Sequence, residues 1–390
     1  MDRDTSPLGL LALLLLAGMT AAGQFAKVSV IFPELGQVYP QAGATLGFLV
    51  SIISLTGVLT GLVAGMLVAR LGMRRVVVGG LLLGAAMSGL QSLMPPMPVM
   101  LLTRAVEGIS HIALVVALPT LIAQLSADRH RPYTMTFWGS YFGVTFALVA
   151  WAGAPLVRSH GPGVLFQFHA AAMLVLAAAL ALALPRGVVA RSLAPLPSLR
   201  EILANHPRIY ASPFIAAPAL GWFFYTLTFV ALLTVLPPYL PDATRATLTF
   251  GMPIAGIIVS LTLGAQLLRH LPAVTIVLIG LGLAGVAVLL MWGWPGAFLP
   301  PVMLFGCLGL VQGASFTAIP QLNPDPADQA LANGALAQMG NLGNLLGTPV
   351  LLMMTAPMGY DGAILFALLA YLGCAGVHLH AGARRRRMDH

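Results

Sequence analysis

Apolar residues in this chain gather into long runs that recur at about the length a bilayer demands, roughly 20 residues each. Twelve helical spans follow from that pattern: 8–32, 42–69, 76–94, 98–125, 133–157, 164–184, 209–236, 248–269, 273–294, 299–321, 329–356 and 361–380. Each is long enough to cross with some tilt. Helix is the open-chain solution, because lipid offers no partner to an exposed backbone N–H. Proline, glycine and charge punctuate the runs, as in Met94-Pro-Pro-Met-Pro98, Ser126-Ala-Asp-Arg-His-Arg-Pro132 and Asn323-Pro-Asp-Pro326. Ala21-Ala22-Gly23 resembles a weak signal cleavage site. Asp2 and Asp4 flank Arg3, however, and the apolar run continues past position 23, so the segment is expected to stay as the first span.

The longest stretch between spans is 185–208, with Pro185, Pro195, Pro197 and Pro207. It divides the chain into an N-terminal six-helix bundle (1–184), a cytoplasmic linker (185–208) and a C-terminal six-helix bundle with a basic tail (209–390). Weak echoes connect the halves. Glu107-Gly-Ile-Ser110 in span 4 answers Gln312-Gly-Ala-Ser315 in span 10. Gly65-Met-Leu-Val-Ala-Arg70 answers Gly264-Ala-Gln-Leu-Leu-Arg269, and Gly153-Ala-Pro155 answers Gly347-Thr-Pro349. Corresponding spans run in the same direction. The expected fold is therefore all-α and polytopic: twelve transmembrane helices as two six-helix bundles in a parallel pseudo-repeat.

Composition narrows the function classes. Only 8% of the 390 residues are charged and 58% are hydrophobic, against about 25% charged in an ordinary soluble domain. So few charges cannot make a polar shell, which excludes soluble enzymes, nucleic-acid binders and disordered chains. The net charge of +8 reads as topology. With the N-terminus inside, 15 of the 19 basic residues are cytoplasmic, including Arg3, Arg129, Arg131, Arg186, Arg191, Arg200, Arg208, Arg269 and Arg384 to Arg387. Arg158 and Arg245 are outside, and Lys27 and Arg104 are in the membrane. Cys307 and Cys374 lie in apolar runs and read as small core residues. No catalytic triad, P-loop or metal-ligand set is present in the sequence, so neither an enzyme, a cofactor nor a metal is expected. A proton gradient is the expected energy source. Frequent Arg and Ala with one lysine points to a GC-rich bacterial source and hence an inner membrane.

Two motifs add a family. Gly65-Met-Leu-Val-Ala-Arg-Leu-Gly-Met-Arg-Arg75, between spans 2 and 3, resembles the loop motif of the major facilitator superfamily. Gly65, Arg70, Gly72, Arg74 and Arg75 match it, and Ala69 stands where the family has an acidic residue. The glycines would allow close helix approach and the arginines would hold the loop at the anionic inner leaflet. Arg104-Ala-Val-Glu-Gly108 is similar to the family's Arg-x-x-Gln-Gly pattern of proton-coupled members, with Glu107 at the Gln position. The antiporter signature of drug exporters is represented only loosely, by Gly139, Gly143 and Gly153-Ala-Pro155. The resemblance implies two bundles rocking about a central cavity lined by spans 1, 4, 7 and 10.

Glu107 is the one acidic residue well inside a span; Glu34 and Asp361 sit at span ends. Intramembrane charges are costly and therefore functional suspects. Arg104, Glu107 and His111 are spaced i, i+3, i+7, within about 60° on one helix face. Lys27 and Arg104 share a depth of about 10 Å outward of the midplane, with Gln24 and Glu107 sharing another. Around one site these groups carry excess positive charge, which suits an anion. Lys27 and Arg104 are the expected binders of that charge, and Glu107 with His111 the expected proton carriers. The alternative is a structural salt bridge that closes the site.

The C-terminal half offers neutral candidates for the substrate site. Trp222 and Tyr225 share a face of span 7, span 10 gives Gln312 and Ser315, and span 11 carries a polar stripe of Gln338, Asn341, Asn344 and Thr348. Such amides also serve as interhelical glue, and the aromatic pair also suits core or lipid. Gly57, Gly61 and Gly65 form GxxxG steps for close packing, His169 is expected at the interface, and His378 and His380 with Arg384 to Arg387 form a solvated cluster. The expectation is a monomeric secondary transporter of a small organic anion moved with protons, partnered by the lipid bilayer and by no nucleic acid. The alternatives are a proton-antiport exporter of amphipathic drugs or metal chelates, and a non-transporting membrane receptor on the same fold.

Overall fold

The computed structural model describes residues 7–127, 129–185 and 198–388. Arg3, Arg186, Arg191, half of the expected linker and the last two residues of the tail lie outside the described residues. Among the described residues every regular element is helical. Two compact units are present: Met1–Thr56 with Val63–Leu196, and Gly57–Leu62 with Pro197–His390.

The helices in chain order begin with α1 (Leu8–Ser29), α2 (Phe32–Val38), α3 (Gly47–Ser51), α4 (Leu55–Thr60) and α5 (Ala64–Leu71). Then come α6 (Met73–Gln91), α7 (Met97–Leu125), α8 (Arg131–Leu148), α9 (Ala154–His160) and α10 (Gly163–Ala183). After the linker follow α11 (Leu199–Ala211), α12 (Ala216–Val235), α13 (Asp242–Val259), α14 (Ala265–Leu267), α15 (Ala273–Gly293), α16 (Leu299–Leu322) and α17 (Pro326–Met388).

Among the described residues, eleven stretches are long and apolar enough to cross a membrane. The eleventh, Asp328–Met388, has 61 residues and holds a non-helical Gly359 at φ 57° and ψ −132°. Glycine takes that backbone without a Cβ clash. The chain reverses there closely enough that a Cβ on Gly362 would strike the Met354 carbonyl. Two helices are thus joined at the place where the sequence puts the break between spans 11 and 12.

Three expectations change. Span 2 is not one helix: a 3-10 turn at Gly43–Leu46 leads into α3, and a second at Ile52–Ser54 and a turn after Thr60 separate α3, α4 and α5. Serine, threonine and glycine there weaken the α ladder. In addition, the Leu49 and Val50 carbonyls accept from Arg104 of α7. Spans 5 and 8 each contain a π turn, at Val149–Gly153 and Ser260–Gly264, which accommodates an extra residue within the ladder. Third, α11 crosses the expected linker boundary at 208. Ser198 caps it through a reciprocal box with Glu201, and its apolar and polar residues separate onto two faces. Span 7 therefore starts at Ala216, not 209.

In the first unit α1 packs against α7, α8 and α10, while α6 packs against α7 and α10. A dry core including Leu14, Ala17, Leu81, Leu118 and Met173 fills part of this junction. Lipid is as apolar as leucine, so dispersion and small-residue fit, rather than expulsion from water, hold such helices together. In the second unit α12 packs against α17, and α16 against α13 and α15. Gly309 of α16 lies so close to the Gly256 backbone of α13 that no side chain fits between them.

Candidate functional site

The polar groups of the first unit collect where α1, α6, α7 and α10 meet. Lys27, near the end of α1, donates to Glu107 Oε1 at 2.6 Å and to Ser88 Oγ at 2.5 Å. Arg104 donates through Nη1 to Glu107 Oε2 at 2.5 Å and through Nε to the Leu49 carbonyl at 2.7 Å. Gln91 Nε2 adds a bond to Glu107 Oε2 at 2.9 Å. Lys27, Arg104 and Glu107 are 1%, 0% and 0% exposed. One carboxylate is shared by two cations, so the buried triad carries an excess of one positive charge. Burying each ion costs several kcal/mol, which geometry this close and the added neutral donors offset.

His169 of α10 enters the same network. Its Nε2 lies 2.8 Å from the Thr20 carbonyl, which can only accept, so Nε2 carries the hydrogen. Nδ1 is then an acceptor, 2.7 Å from Ser88 Oγ. The ammonium of Lys27 can only donate, so Ser88 accepts from Lys27 and turns its own hydrogen to His169. Donor direction therefore runs from Lys27 through Ser88 to His169 and on to Thr20. Gly23 makes room for this, since a Cβ there would press on the imidazole. His169 is buried, which corrects its expected place at the interface: a hydrogen-bonded imidazole is cheaper to bury than an apolar run suggests.

His111 stands one layer away. Its Nδ1 lies 3.2 Å from both the Ala21 carbonyl and Gln24 Oε1, and its ring meets Phe25 edge-on at 5.1 Å. Gln24 Nε2 donates to Ser110 Oγ at 2.8 Å, and Ser110 to the Gly80 carbonyl at 2.7 Å. The shared face of α7 thus divides its work. Arg104 and Glu107 join the charged network, and His111 joins the amide of Gln24.

Sequence reasoning missed Ser88, Gln91 and His169. A signal existed, because Ser88 and Gln91 are an i, i+3 polar pair in an otherwise apolar stretch of α6, and His169 is the one ionisable residue inside α10.

The second-unit candidates are placed in several groups. Trp222 and Tyr225 stack at 4.4 Å with an interplanar angle of 14°, and Phe316 meets Trp222 edge-on at 5.0 Å. Tyr225 Oη donates to Gln312 Oε1 at 3.3 Å. Ser315 is buried with its hydroxyl on the Val311 carbonyl of its own helix, and Asn341 Nδ2 bonds the Ala337 carbonyl. Gln338 accepts from Tyr210 Oη at 2.7 Å and donates to the Val58 carbonyl at 3.0 Å, within the Gly57–Leu62 segment that groups with this unit. Burial pushes the Tyr210 phenol up to about 12, so it stays a donor. His378 is buried against Gly221, not solvated, and neither nitrogen is hydrogen-bonded among the described residues; only His380 of that pair is exposed.

The loop motif is built differently from the expectation. Gly65 has open space around it, so close helix approach is not its role. Gly57 and Gly61, by contrast, do abut neighbours. Gly72 supplies a positive φ of 94° between α5 and α6, which an L side chain resists. Arg74 donates to the Ala181 and Leu184 carbonyls at 2.5 and 3.0 Å, closing the C-terminus of α10. Arg70 and Arg75 are exposed.

The family model for the Major Facilitator Superfamily matches residues 13–348. Over 123 residues the chain is 32% identical to the inner membrane transport protein YajR of Escherichia coli. That stretch is 32% of this chain and only 27% of YajR. The fold is similar, at TM-score 0.72 and 15% identity, to the crystal structure of a bacterial homolog to the human lysosomal transporter Spinster, in an inward-facing and occupied conformation. The likeness covers 96% of each chain.

Proposed function

The chain belongs to the major facilitator superfamily, and from that premise we propose that it is a membrane transporter that carries a small organic anion together with protons by alternating access. The observation behind this reading is the buried triad of Lys27, Arg104 and Glu107, with two cations for one carboxylate.

The coupling follows from charge. With Glu107 ionised the triad holds one net positive charge. Protonating Glu107 would raise that to two, in a medium where isolated charge is expensive. An anion entering with the proton restores the original sum. Proton and substrate therefore stabilise each other's binding, and neither is favoured alone. Arg104 is tied to the Leu49 carbonyl as well as to Glu107, so it fixes the carboxylate's position. Lys27, on a flexible stem, is the cation that turns from Glu107 to the substrate. The Ser88–His169 pair supplies the adjoining proton path, and His111 with Gln24 borders it. Trp222, Tyr225, Gln312, Ser315, Gln338 and Asn341 are the second unit's own candidates for neutral contacts to a substrate. The protein is a monomer of the bacterial inner membrane, with both termini cytoplasmic, and the Gly65–Arg75 loop takes part in gating.

The test is transport in proteoliposomes across a panel of carboxylates, driven by an inward proton gradient. Lys27→Ala and Arg104→Ala should each abolish anion uptake. Glu107→Gln should keep anion exchange while losing the response to the gradient. Unchanged anion flux in both cation variants would overturn the assignment. Gradient-driven export of amphipathic cations, with no anion flux, would establish the exporter alternative.

A further inference from the structure

We infer that the second unit holds a binding site for the headgroup of an anionic phospholipid, at the junction of α11, α12 and the end of α17. A cavity of about 240 Å³ opens there. Pro213, Ala216, Ala217 and Leu220 form one wall, with Val377 and Ala381 opposite. Its polar rim is Ser212, His380 and Arg384, and among the described residues no acidic side chain lines it. Tyr210 contributes a ring wall, because its hydroxyl is committed to Gln338.

Position and charge together select the occupant. Ala216 begins one membrane span, and the run Arg384 to Arg387 closes the last one. The cavity therefore sits at headgroup depth, with apolar wall toward the hydrocarbon and cationic rim toward water. Its volume is that of about eight waters at ~30 Å³ each, enough for a phosphate and part of a glycerol but not for a whole lipid. The acyl chains would run on along the exposed side of the spans. A soluble anion needs the arginine but not the apolar wall, and a neutral lipid needs the wall but not the arginine. An anionic phospholipid uses both.

Arg384 and its neighbour Arg385 also hold the site in shape. Arg384 Nη2 donates to the Ala211 carbonyl at 3.0 Å, and Arg385 Nη1 to the Pro213 carbonyl at 2.7 Å, with its guanidinium 6.0 Å from the Phe214 ring. The tail thus closes the end of α11, and Arg384 keeps further donors to turn toward a phosphate. Ser212 Oγ accepts from the Phe214 and Ile215 amides at 3.4 and 3.3 Å, leaving its O–H to donate. Lipid bound here would pin the surface helix α11 against α12 and the end of α17.

The experiment is native mass spectrometry of the full chain, released from vesicles of phosphatidylglycerol and phosphatidylcholine mixed in equal amounts. Wild type should retain one phosphatidylglycerol in preference to phosphatidylcholine. Arg384→Gln should lower that preference about fivefold, the worth of one arginine at an anionic surface, while Arg386→Gln, outside the cavity, should leave it intact. Leu220→Trp should evict the lipid with every arginine in place. Equal retention of the two lipids would overturn the proposal. So would an equal loss in both arginine variants, which would mean diffuse attraction to the tail. Displacement of the lipid by millimolar inorganic phosphate would replace it with a free-anion site.

Discussion

Replacing Glu107 by Gln and Lys27 by Met should have very unequal effects on stability, although each removes one member of the same ion pair. Glu107 accepts from Lys27 at 2.6 Å and from Arg104 at 2.5 Å, with all three groups shielded from solvent. Glu107→Gln keeps the shape but leaves two buried cations without a counter-charge, raising the net charge of the site from one to two. Breaking a buried pair this way costs about 3–5 kcal/mol. Lys27→Met instead brings the site to neutrality. Arg104 and Gln91 still serve Oε2, so the loss falls on Oε1 and on the Ser88 hydroxyl that Lys27 also served, about 1–3 kcal/mol for an unsatisfied buried group. Removing an ammonium that was costly to bury offsets much of that loss. The expected gap is about 3 kcal/mol against Glu107→Gln. The double variant should recover part of the glutamine defect, because the surplus cation is gone. Equilibrium unfolding of the purified protein by SDS titration in mixed micelles measures all three. Lys27→Met as damaging as Glu107→Gln, or a double variant that is merely additive, would refute the charge argument.

The remaining predictions concern backbone fit and the surface helix. Gly72→Ala should destabilise by about 1–2 kcal/mol from its positive φ, whereas Gly65→Ala, with open space around it, should be neutral or slightly stabilising; thermal melts in detergent compare the two. Gly309→Ala should abolish the close crossing of α13 and α16 and lower the yield of monodisperse protein, while Gly251→Ala, which meets nothing, should not. Hydrogen bonds from the Ser198 backbone and side chain hold the Glu201 carboxyl below its ordinary value. The cap's contribution is therefore complete above the ordinary glutamate range and is lost as pH falls through the lowered value. Amide exchange at the start of α11, corrected for intrinsic rate, should show protection falling at acid pH in wild type and staying low at all pH in Glu201→Ala.

Much of the fold was legible because a bilayer imposes a single length on every span. Runs such as Ala273–Gly293 carry no other information and are read correctly without any neighbour. The second span failed because its conformation is decided elsewhere: Arg104 takes the Leu49 and Val50 carbonyls, and Gly108 admits the Ile53 backbone. Neither fact is local to residues 42–69. The final break was legible as a boundary yet not as a sharp reversal, since a glycine at positive φ looks in sequence like any other glycine.

The charged cluster shows the same division between helix-local and tertiary information. Arg104, Glu107 and His111 share one helix, so spacing alone puts them on one face, and the depth of Lys27 follows from counting residues. What spacing cannot supply is the rotation of a second helix about its own axis. That rotation decides which histidine meets the carboxylate's partners, and it turns on small residues. Gly23 on α1 leaves room for the His169 ring, and Gly84 on α6 leaves room for Ser110 and Met173. His111, though four residues from Glu107, bonds to Gln24 and the Ala21 carbonyl, while His169 reaches Lys27's partner Ser88 from a different helix. A polar residue in a membrane helix is therefore best read together with the glycines facing it. They mark which helix comes close enough to bring the next member of the network.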